Sequence, residues 1–122
     1  MTGSGCRQAR RAVALADGLA GSPQETRLRL LLHRSELPRP VAQFVVRTGD
    51  GFVARVDFGW PDRKVAVEYE GVWHGRRPQQ VAADRRRLNR LREAGWIVVF
   101  VTAEDLHQPG LLVARVASAL AP

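Results

Sequence analysis

The stretch FVARVDFGWPDRKVAVEYEG, residues 52–71, decides the fold of this chain because apolar and polar residues alternate on both sides of Pro61-Asp62-Arg63. Successive side chains of a strand point to opposite faces, so the alternation predicts two strands joined in an antiparallel hairpin. One face carries the apolar residues Ala54, Val56, Phe58, Trp60, Val65, Val67 and Tyr69. The stretch therefore predicts a sheet with one face available for a hydrophobic core.

The opposite face of this hairpin carries three carboxylates, Asp57, Glu68 and Glu70. Carboxylates directly or diagonally opposite on paired strands lie about 5 to 8 Å apart. At that separation their repulsion has to be offset by protonation or by a cation. A divalent metal is the simplest such cation, so this face of the hairpin is a candidate active site.

Further helices and strands are predicted on both sides of the hairpin. Ser22-Pro23-Gln24-Glu25 has the pattern of a capping box with proline at the first helical position, and begins a predicted helix that ends near Arg34. Pro78 begins a second helix that ends at Gly95, and the apolar run over residues 96–101 predicts a strand buried on both faces. The other predictions are an alanine-rich helix over 6–19, a strand over 41–47, a turn over 48–51, a short turn over 102–106 and a helix over 110–120.

These elements predict the α/β fold class and the organisation of the chain. Their order is helix, three antiparallel strands, helix, buried strand and helix, with the alanine-rich helix in front. At 122 residues the chain is long enough to bury a sizeable core and too short for two such domains. We therefore expect residues 1–21 to form an N-terminal helical extension and residues 22–122 to form a single domain.

The composition points to a partner that carries phosphate. The formal net charge is +7, and Lys64 is the only lysine among 19 basic residues. A genome that favours arginine codons would explain the preference for arginine over lysine. It would not explain the excess of basic over acidic residues, which favours a nucleic-acid partner.

The cysteine count and the hydropathy exclude several other classes of protein. Because Cys6 is the only cysteine, one chain cannot form an internal disulfide or a cysteine-based zinc cluster. No apolar run approaches the roughly 18 residues that a membrane-spanning helix needs. We therefore predict a soluble cytoplasmic protein that does not bind a membrane.

The helix predicted from Pro78 carries one more candidate site residue. At 100° per residue, Val81, Leu88 and Leu91 form an apolar stripe, and Asp84 falls in the middle of it. A carboxylate directed at a buried surface needs a partner. Either Asp84 forms an ion pair with Arg87 or Arg55, or it faces the hairpin carboxylates and supports their metal or water.

Two blocks of sequence carry a resemblance to a known family. VDFGWPDRKVAVEYEGVWH (residues 56–74) and DRRRLNRLREAGWIVV (residues 84–99) resemble the very-short-patch-repair (Vsr)-like endonuclease superfamily, in particular its uncharacterised bacterial branch of domains of unknown function. The helix SPQETRLR (residues 22–29) fits the same family, so the resemblance covers about residues 22–106. It implies the restriction-endonuclease-like PD-(D/E)XK fold, a mixed sheet flanked by helices with an αβββαβ core.

The resemblance also implies roles for individual residues. It makes Asp57 the central metal ligand and Glu68 the second acidic ligand, and it makes His74 the general base. The full set of implied catalytic residues is Asp57, Glu68, Glu70, His74, Asp84 and Glu25. The metal is expected to be Mg²⁺, with Mn²⁺ as an alternative, held by Asp57, Glu68 and the carbonyl of Tyr69.

The chain departs from the family pattern at two points. Glu70 stands where many related nucleases have a lysine that orients the attacking water, so His74 or Lys64 would have to replace it. The zinc site of the repair enzymes is absent, and no zinc is expected. Simpler interpretations also stay open: Glu25 as a capping-box residue, His74 as a surface loop residue, Glu70 as an exposed strand residue, and Asp57 with Glu68 as a structural pair.

The main hypothesis is a Mg²⁺-dependent endonuclease that hydrolyses DNA, with RNA as an alternative substrate, acting as a monomer or a homodimer. We expect the nucleic acid to contact Arg55, Lys64, Arg76, Arg77, Arg85 and Arg86. A second hypothesis is a catalytically inactive nucleic-acid-binding module with the same fold. A third is a small interaction domain from a longer protein, since this family's domain often follows a winged-helix region.

Overall fold

The computed structural model describes residues 23–71 and 77–122. The chain divides into two compact units, Met1–Leu37 and Pro38–Pro122. In the first unit, helix α1 (Pro23–Arg34) begins at the proline that predicted its start, and Leu28 and Leu32 are its buried residues. The predicted helix over residues 6–19 lies outside the described residues.

In the described residues of the second unit, the chain forms a four-stranded sheet and two α-helices. Its elements are β1 (Val41–Thr48), β2 (Gly51–Trp60), β3 (Val65–Tyr69), α2 (Pro78–Glu93), β4 (Ile97–Val101), a 3-10 turn (Asp105–His107) and α3 (Pro109–Leu120). The strands lie in the order β1-β2-β3-β4. The first three are antiparallel and β4 runs parallel to β3. This mixed sheet with its helices confirms the predicted α/β fold class.

The register of the β2–β3 hairpin agrees with the alternation in its sequence. Phe58 pairs with Val67, Gly59 with Ala66, and Trp60 with Val65. In the β1–β2 hairpin, Gly51 has a φ of 114°, a backbone conformation that glycine adopts without a steric penalty. Both hairpins therefore have the turns that the sequence predicts.

A hydrophobic core holds helix α2 against the sheet. Leu91 of α2 is fully buried in a cluster with Val46, Val56 and Ala66. Trp96 belongs to the same cluster, and its ring centroid lies 5.7 Å from that of Phe44. Burial of a leucine-sized side chain contributes roughly 1.5 to 3 kcal/mol. This contact fixes where the polar residues of α2 lie relative to β2 and β3.

Strand β4 differs from its prediction because it is not buried on both faces. Ile97 is 51% exposed and Phe100 is 36% exposed, whereas Val99 and Val101 are buried. In the described sheet β4 is the last strand, so its continuous apolar sequence does not correspond to a central position. Within the described residues no helix is long and apolar enough to cross a membrane.

Candidate active site

A cleft of about 490 Å³ lies between the sheet and helix α2. The strands contribute Asp57 from β2, Glu68 and Tyr69 from β3, Glu70 just after β3, and Phe100 from β4. The helix contributes Val81, Asp84, Arg85, Arg87 and Leu88. Four of the six residues that the family resemblance made catalytic therefore line one cleft.

Asp57 and Glu68 come together because the hairpin register places them on one face. Each lies two residues along its strand from the Gly59–Ala66 pair, so both side chains point to the face of that pair. The Asp57 carboxylate accepts a hydrogen bond from the backbone N–H of Tyr69, with Oδ2 2.8 Å from the nitrogen. This hydrogen bond links the Asp57 side chain of β2 to the backbone of β3 and fixes the position of the carboxylate.

The neighbouring strand is irregular opposite Asp57. Gln43 of β1 lies between the pairs Ala42–Phe58 and Phe44–Val56, and it has a φ of 53°. A residue with a side chain in this left-handed region costs roughly 1 to 2 kcal/mol. Strained backbone of this kind is concentrated near functional sites in proteins, and here it adjoins the central carboxylate.

Glu68 is held by an arginine of helix α2. Its side chain is only 11% exposed. Arg87 donates from Nη1 to Oε1 at 2.7 Å and from Nη2 to Oε2 at 2.5 Å, and Nη2 also donates to the Arg55 carbonyl at 2.5 Å. The hydrogen bonds to Glu68 raise the pKa of Arg87, against the effect of burial, and the charges of Glu68 and Asp57 raise that pKa further. Arg87 therefore stays charged at all physiological pH values.

The structure places Asp84 in the same cleft as the hairpin carboxylates. Asp84 is exposed, between the half-buried Val81 and Leu88 on one side of the helix. The alternative expectation, an ion pair of Asp84 with Arg87 or Arg55, stays a prediction, and Arg87 also donates two hydrogen bonds to Glu68. Glu70 is half-buried, and its backbone N–H donates to the Val101 carbonyl at 2.7 Å.

The basic residues expected to contact nucleic acid are distributed unevenly. Arg85 lines the cleft, whereas Arg86 and Arg55 are exposed outside its lining. Arg77 is the exposed residue that precedes α2, and its backbone N–H donates to Gln80. Their contacts with nucleic acid stay predictions.

Lys64 does not lie where it could replace the missing lysine of the site. It directly precedes β3, whereas the cleft is at the far end of that strand, and its Nζ is 3.5 Å from the carbonyl of Ala94, the residue that follows α2. A five-residue strand is about 17 Å long. The interpretation of Lys64 as a substitute for a lysine at position 70 is therefore wrong.

Three predicted residues cannot be placed in the cleft. His74 and Arg76 lie outside the described residues. Glu25 lies in the first turn of α1, in the other compact unit. Their predicted roles stay predictions.

Four residues that line the cleft were not among the predicted site residues: Val81, Arg87, Leu88 and Phe100. The sequence suggested Arg87 only as a partner for Asp84, and Val81 and Leu88 only as part of an apolar stripe. Arg87 is one turn from both Asp84 and Leu91, which is a signal that it faces the sheet. Phe100 pairs with Glu68 in the parallel register of β3 and β4, so the two residues are neighbours on the sheet. That register depends on long-range pairing, and no local pattern in the sequence reveals it.

The donor atoms of the cleft suit a hard divalent cation, because carboxylate oxygens are the ligands that Mg²⁺ and Mn²⁺ prefer. Asp57 and Glu68 would hold such an ion, with the Tyr69 carbonyl adjacent. Both oxygens of Glu68 are engaged by Arg87, however. Among residues 23–71 and 77–122, no group of three His, Cys, Asp or Glu side chains is arranged to hold a metal ion.

The fold has a counterpart among solved nuclease structures. The catalytic domain of the homing endonuclease I-Bth0305I superposes with a TM-score of 0.60 at 20% sequence identity, covering 81% of this chain and 94% of that domain. The chain therefore has the fold of an endonuclease catalytic domain.

Curated relatives extend beyond the region that they share with this chain. Two uncharacterised proteins of Mycobacterium tuberculosis, one in strain CDC 1551 and one in strain H37Rv, are each 39% identical over 111 residues. The match covers 89% of this chain and 41% of each relative, so the chain spans less than half the length of these proteins. No family model matches the sequence.

Proposed function

We propose that this chain is a divalent-metal-dependent endonuclease that hydrolyses phosphodiester bonds of DNA. One observation carries the proposal: Asp57, Glu68, Glu70 and Asp84 line a single cleft in a fold that is similar to an endonuclease catalytic domain. Several carboxylates in one cleft require a cation, and a polyanionic substrate requires a basic chain. The net charge of +7 meets the second requirement.

The chemistry divides among the residues of the cleft. A bound divalent cation, Mg²⁺ or Mn²⁺, would supply charge stabilisation at the phosphate and a more acidic water. Asp57, whose carboxylate accepts a hydrogen bond from the Tyr69 N–H, would be a ligand of that cation. Arg85, which lines the cleft, would bind a phosphate oxygen. His74 is the proposed general base, and we expect the protein to act in the cytoplasm as a monomer or homodimer.

Nicking of supercoiled plasmid DNA tests this proposal. The chain should convert supercoiled to open-circular plasmid in Mg²⁺ or Mn²⁺ and should lose this activity in EDTA. Asp57→Ala should abolish nicking because it removes the central carboxylate. Asp50→Ala, which removes a carboxylate from the exposed β1–β2 turn, is the matched control and should keep wild-type activity.

A second candidate function is a nucleic-acid-binding module without catalysis. It is favoured by the Arg87–Glu68 pair, which engages a proposed metal ligand, and by Glu70 at a position where related nucleases carry lysine. Retention of DNA on the protein, with no cleavage in either metal, would support this candidate and contradict the nuclease. Binding of RNA in place of DNA would change the substrate class in either case.

A further inference from the structure

Arg87 and Glu68 form an ion pair in the cleft, and the proposed reaction does not use it. Arg87 binds both oxygens of Glu68 and the Arg55 carbonyl, so its guanidinium joins helix α2 to strands β2 and β3. A bidentate pair between arginine and a carboxylate is among the stronger polar contacts in proteins. Both Glu68 oxygens, the atoms that a metal would use, accept hydrogen bonds from the arginine.

The charges of the cleft explain why the guanidinium of Arg87 is held there. Four carboxylates and two arginines line the cleft, so it is acidic although the whole chain is basic. Glu68 is the most buried of these carboxylates. A buried carboxylate without a counter-ion is strongly unfavourable, and Arg87 supplies the counter-ion when the metal is absent.

Arg87 and a metal would compete for the negative charge of Glu68 in this arrangement. Mg²⁺ binds carboxylate oxygens at about 2.1 Å and Ca²⁺ at about 2.4 Å, whereas the Arg87 nitrogens lie 2.7 and 2.5 Å from the same two oxygens. Two positive groups that close to each other repel strongly in a partly buried site. A metal on Glu68 would therefore bind more weakly while the guanidinium stays and more tightly once it leaves.

We propose that Arg87 is the resident counter-ion of this cleft and that a divalent metal displaces it from Glu68. Arg87 is thus a positioning residue that keeps Glu68 in place before the metal binds and lowers the affinity of the site for metal. This inference rests on the proposed metal-dependent function. It adds that the metal affinity is set by competition with an arginine of α2.

Binding of Mn²⁺ to the full chain, measured by titration calorimetry without DNA, tests the competition. Arg87→Met keeps much of the side-chain volume and removes the charge, and it should increase Mn²⁺ affinity by about tenfold or more, as expected for loss of a nearby positive charge. Arg85→Met removes the same charge from the same helix and cleft, and it should change the affinity by much less. Adding Glu68→Gln to Arg87→Met should abolish the gain.

A thermal-unfolding series gives a second readout that a purely structural ion pair would not produce. Arg87→Met should lower Tm in EDTA, and Mn²⁺ should raise Tm more in this variant than in the wild type, because the metal then replaces the missing counter-ion. If Arg87→Met does not fold, Arg87→Lys serves instead, since one ammonium cannot hold both oxygens. The lysine variant should bind Mn²⁺ more tightly than the wild type.

The outcomes separate this inference from the proposed function. If the wild type binds Mn²⁺ through Asp57 and the Arg87 variants show no gain over Arg85→Met, the competition is refuted and the metal site stands. If Arg87→Met still increases Mn²⁺ affinity when Glu68→Gln is also present, the competition is refuted as well. If no variant binds Mn²⁺, or if Asp57→Asn leaves binding unchanged, the proposed metal site itself fails and the inference fails with it.

Discussion

At the scale of single residues, Gly59 shows how closely the strands beside the site are packed. A Cβ at this position would lie 3.1 Å from Phe44 Cβ and 3.3 Å from two atoms of its ring. Phe44 cannot move freely because its ring packs against Trp96. We therefore expect Gly59→Ala to lower the free energy of unfolding by about 1 to 2 kcal/mol, as overpacking does in other cores. Urea denaturation would measure this change.

Gly49 provides the matched control for that substitution. It lies in the β1–β2 turn, and an added Cβ would meet nothing within 4 Å. Gly49→Ala should leave the free energy of unfolding nearly unchanged. Equal effects of the two alanine variants would mean that the contact with Phe44 does not limit the packing at Gly59.

The same scale shows what the sequence could predict about the site. Asp57 and Glu68 are predictable because strand alternation is local and strict, and Asp84 is predictable because one polar residue interrupts a helical stripe. The sequence suggests Arg87 only as a partner for Asp84, because helical spacing gives the face of a side chain and not its contact across the core. Glu68 can be identified as the partner of Arg87 only when the packing of α2 against β3 is known.

At the scale of elements, the turn between β4 and α3 is held by one carboxylate. Asp105 accepts hydrogen bonds from the Thr102 backbone N–H at 2.9 Å and from Arg115 of α3 at 3.2 Å. Its hydrogen bonds with Arg115, and next those with Thr102, lower the pKa of Asp105. The ionised carboxylate therefore stabilises the turn.

The lowered pKa of Asp105 gives a pH dependence with a definite sign. Its stabilisation is complete above the unfolded-state pKa of about 3.9 and is lost as the pH falls through the lower folded-state pKa. Asp105→Asn should therefore lose less stability than the wild type between pH 6 and pH 2.5, as measured by urea midpoints. Asp62→Asn, in the exposed β2–β3 turn, should retain the acid sensitivity of the wild type. Identical profiles for Asp105→Asn and wild type would contradict the assigned role.

The boundaries of the helices and turns were predictable from the sequence, whereas the exposure of β4 was not. Proline at the first turns of α1, α2 and α3 and glycine in the β1–β2 turn are local signals, and the boundaries near them were predicted closely. The exposure of β4 was not predicted. An apolar run of five or six residues has the same sequence at the edge of a sheet as at its centre, and only the strand order distinguishes them.

At the scale of the whole molecule, the charge is divided between an acidic cleft and a basic remainder. Four carboxylates and two arginines line one cleft, whereas the net charge of the sequence is +7, so the residues outside the cleft carry the excess positive charge. Such a distribution draws a polyanion to the protein while the cleft itself selects for cations. The total charge was predictable from composition, but the segregation of charge depends on the tertiary fold.

This distribution predicts how DNA affinity responds to salt. Removing one interaction with a phosphate reduces the slope of log K against log salt concentration by about 0.9 for duplex DNA. Arg85→Gln should therefore reduce the slope by about 1, since Arg85 lines the cleft. Arg115→Gln removes the same charge from an arginine that pairs with Asp105, and it should leave the slope nearly unchanged. Fluorescence anisotropy with a labelled duplex would measure both slopes. Equal reductions in the two variants would show that net charge alone, and not the cleft, governs binding.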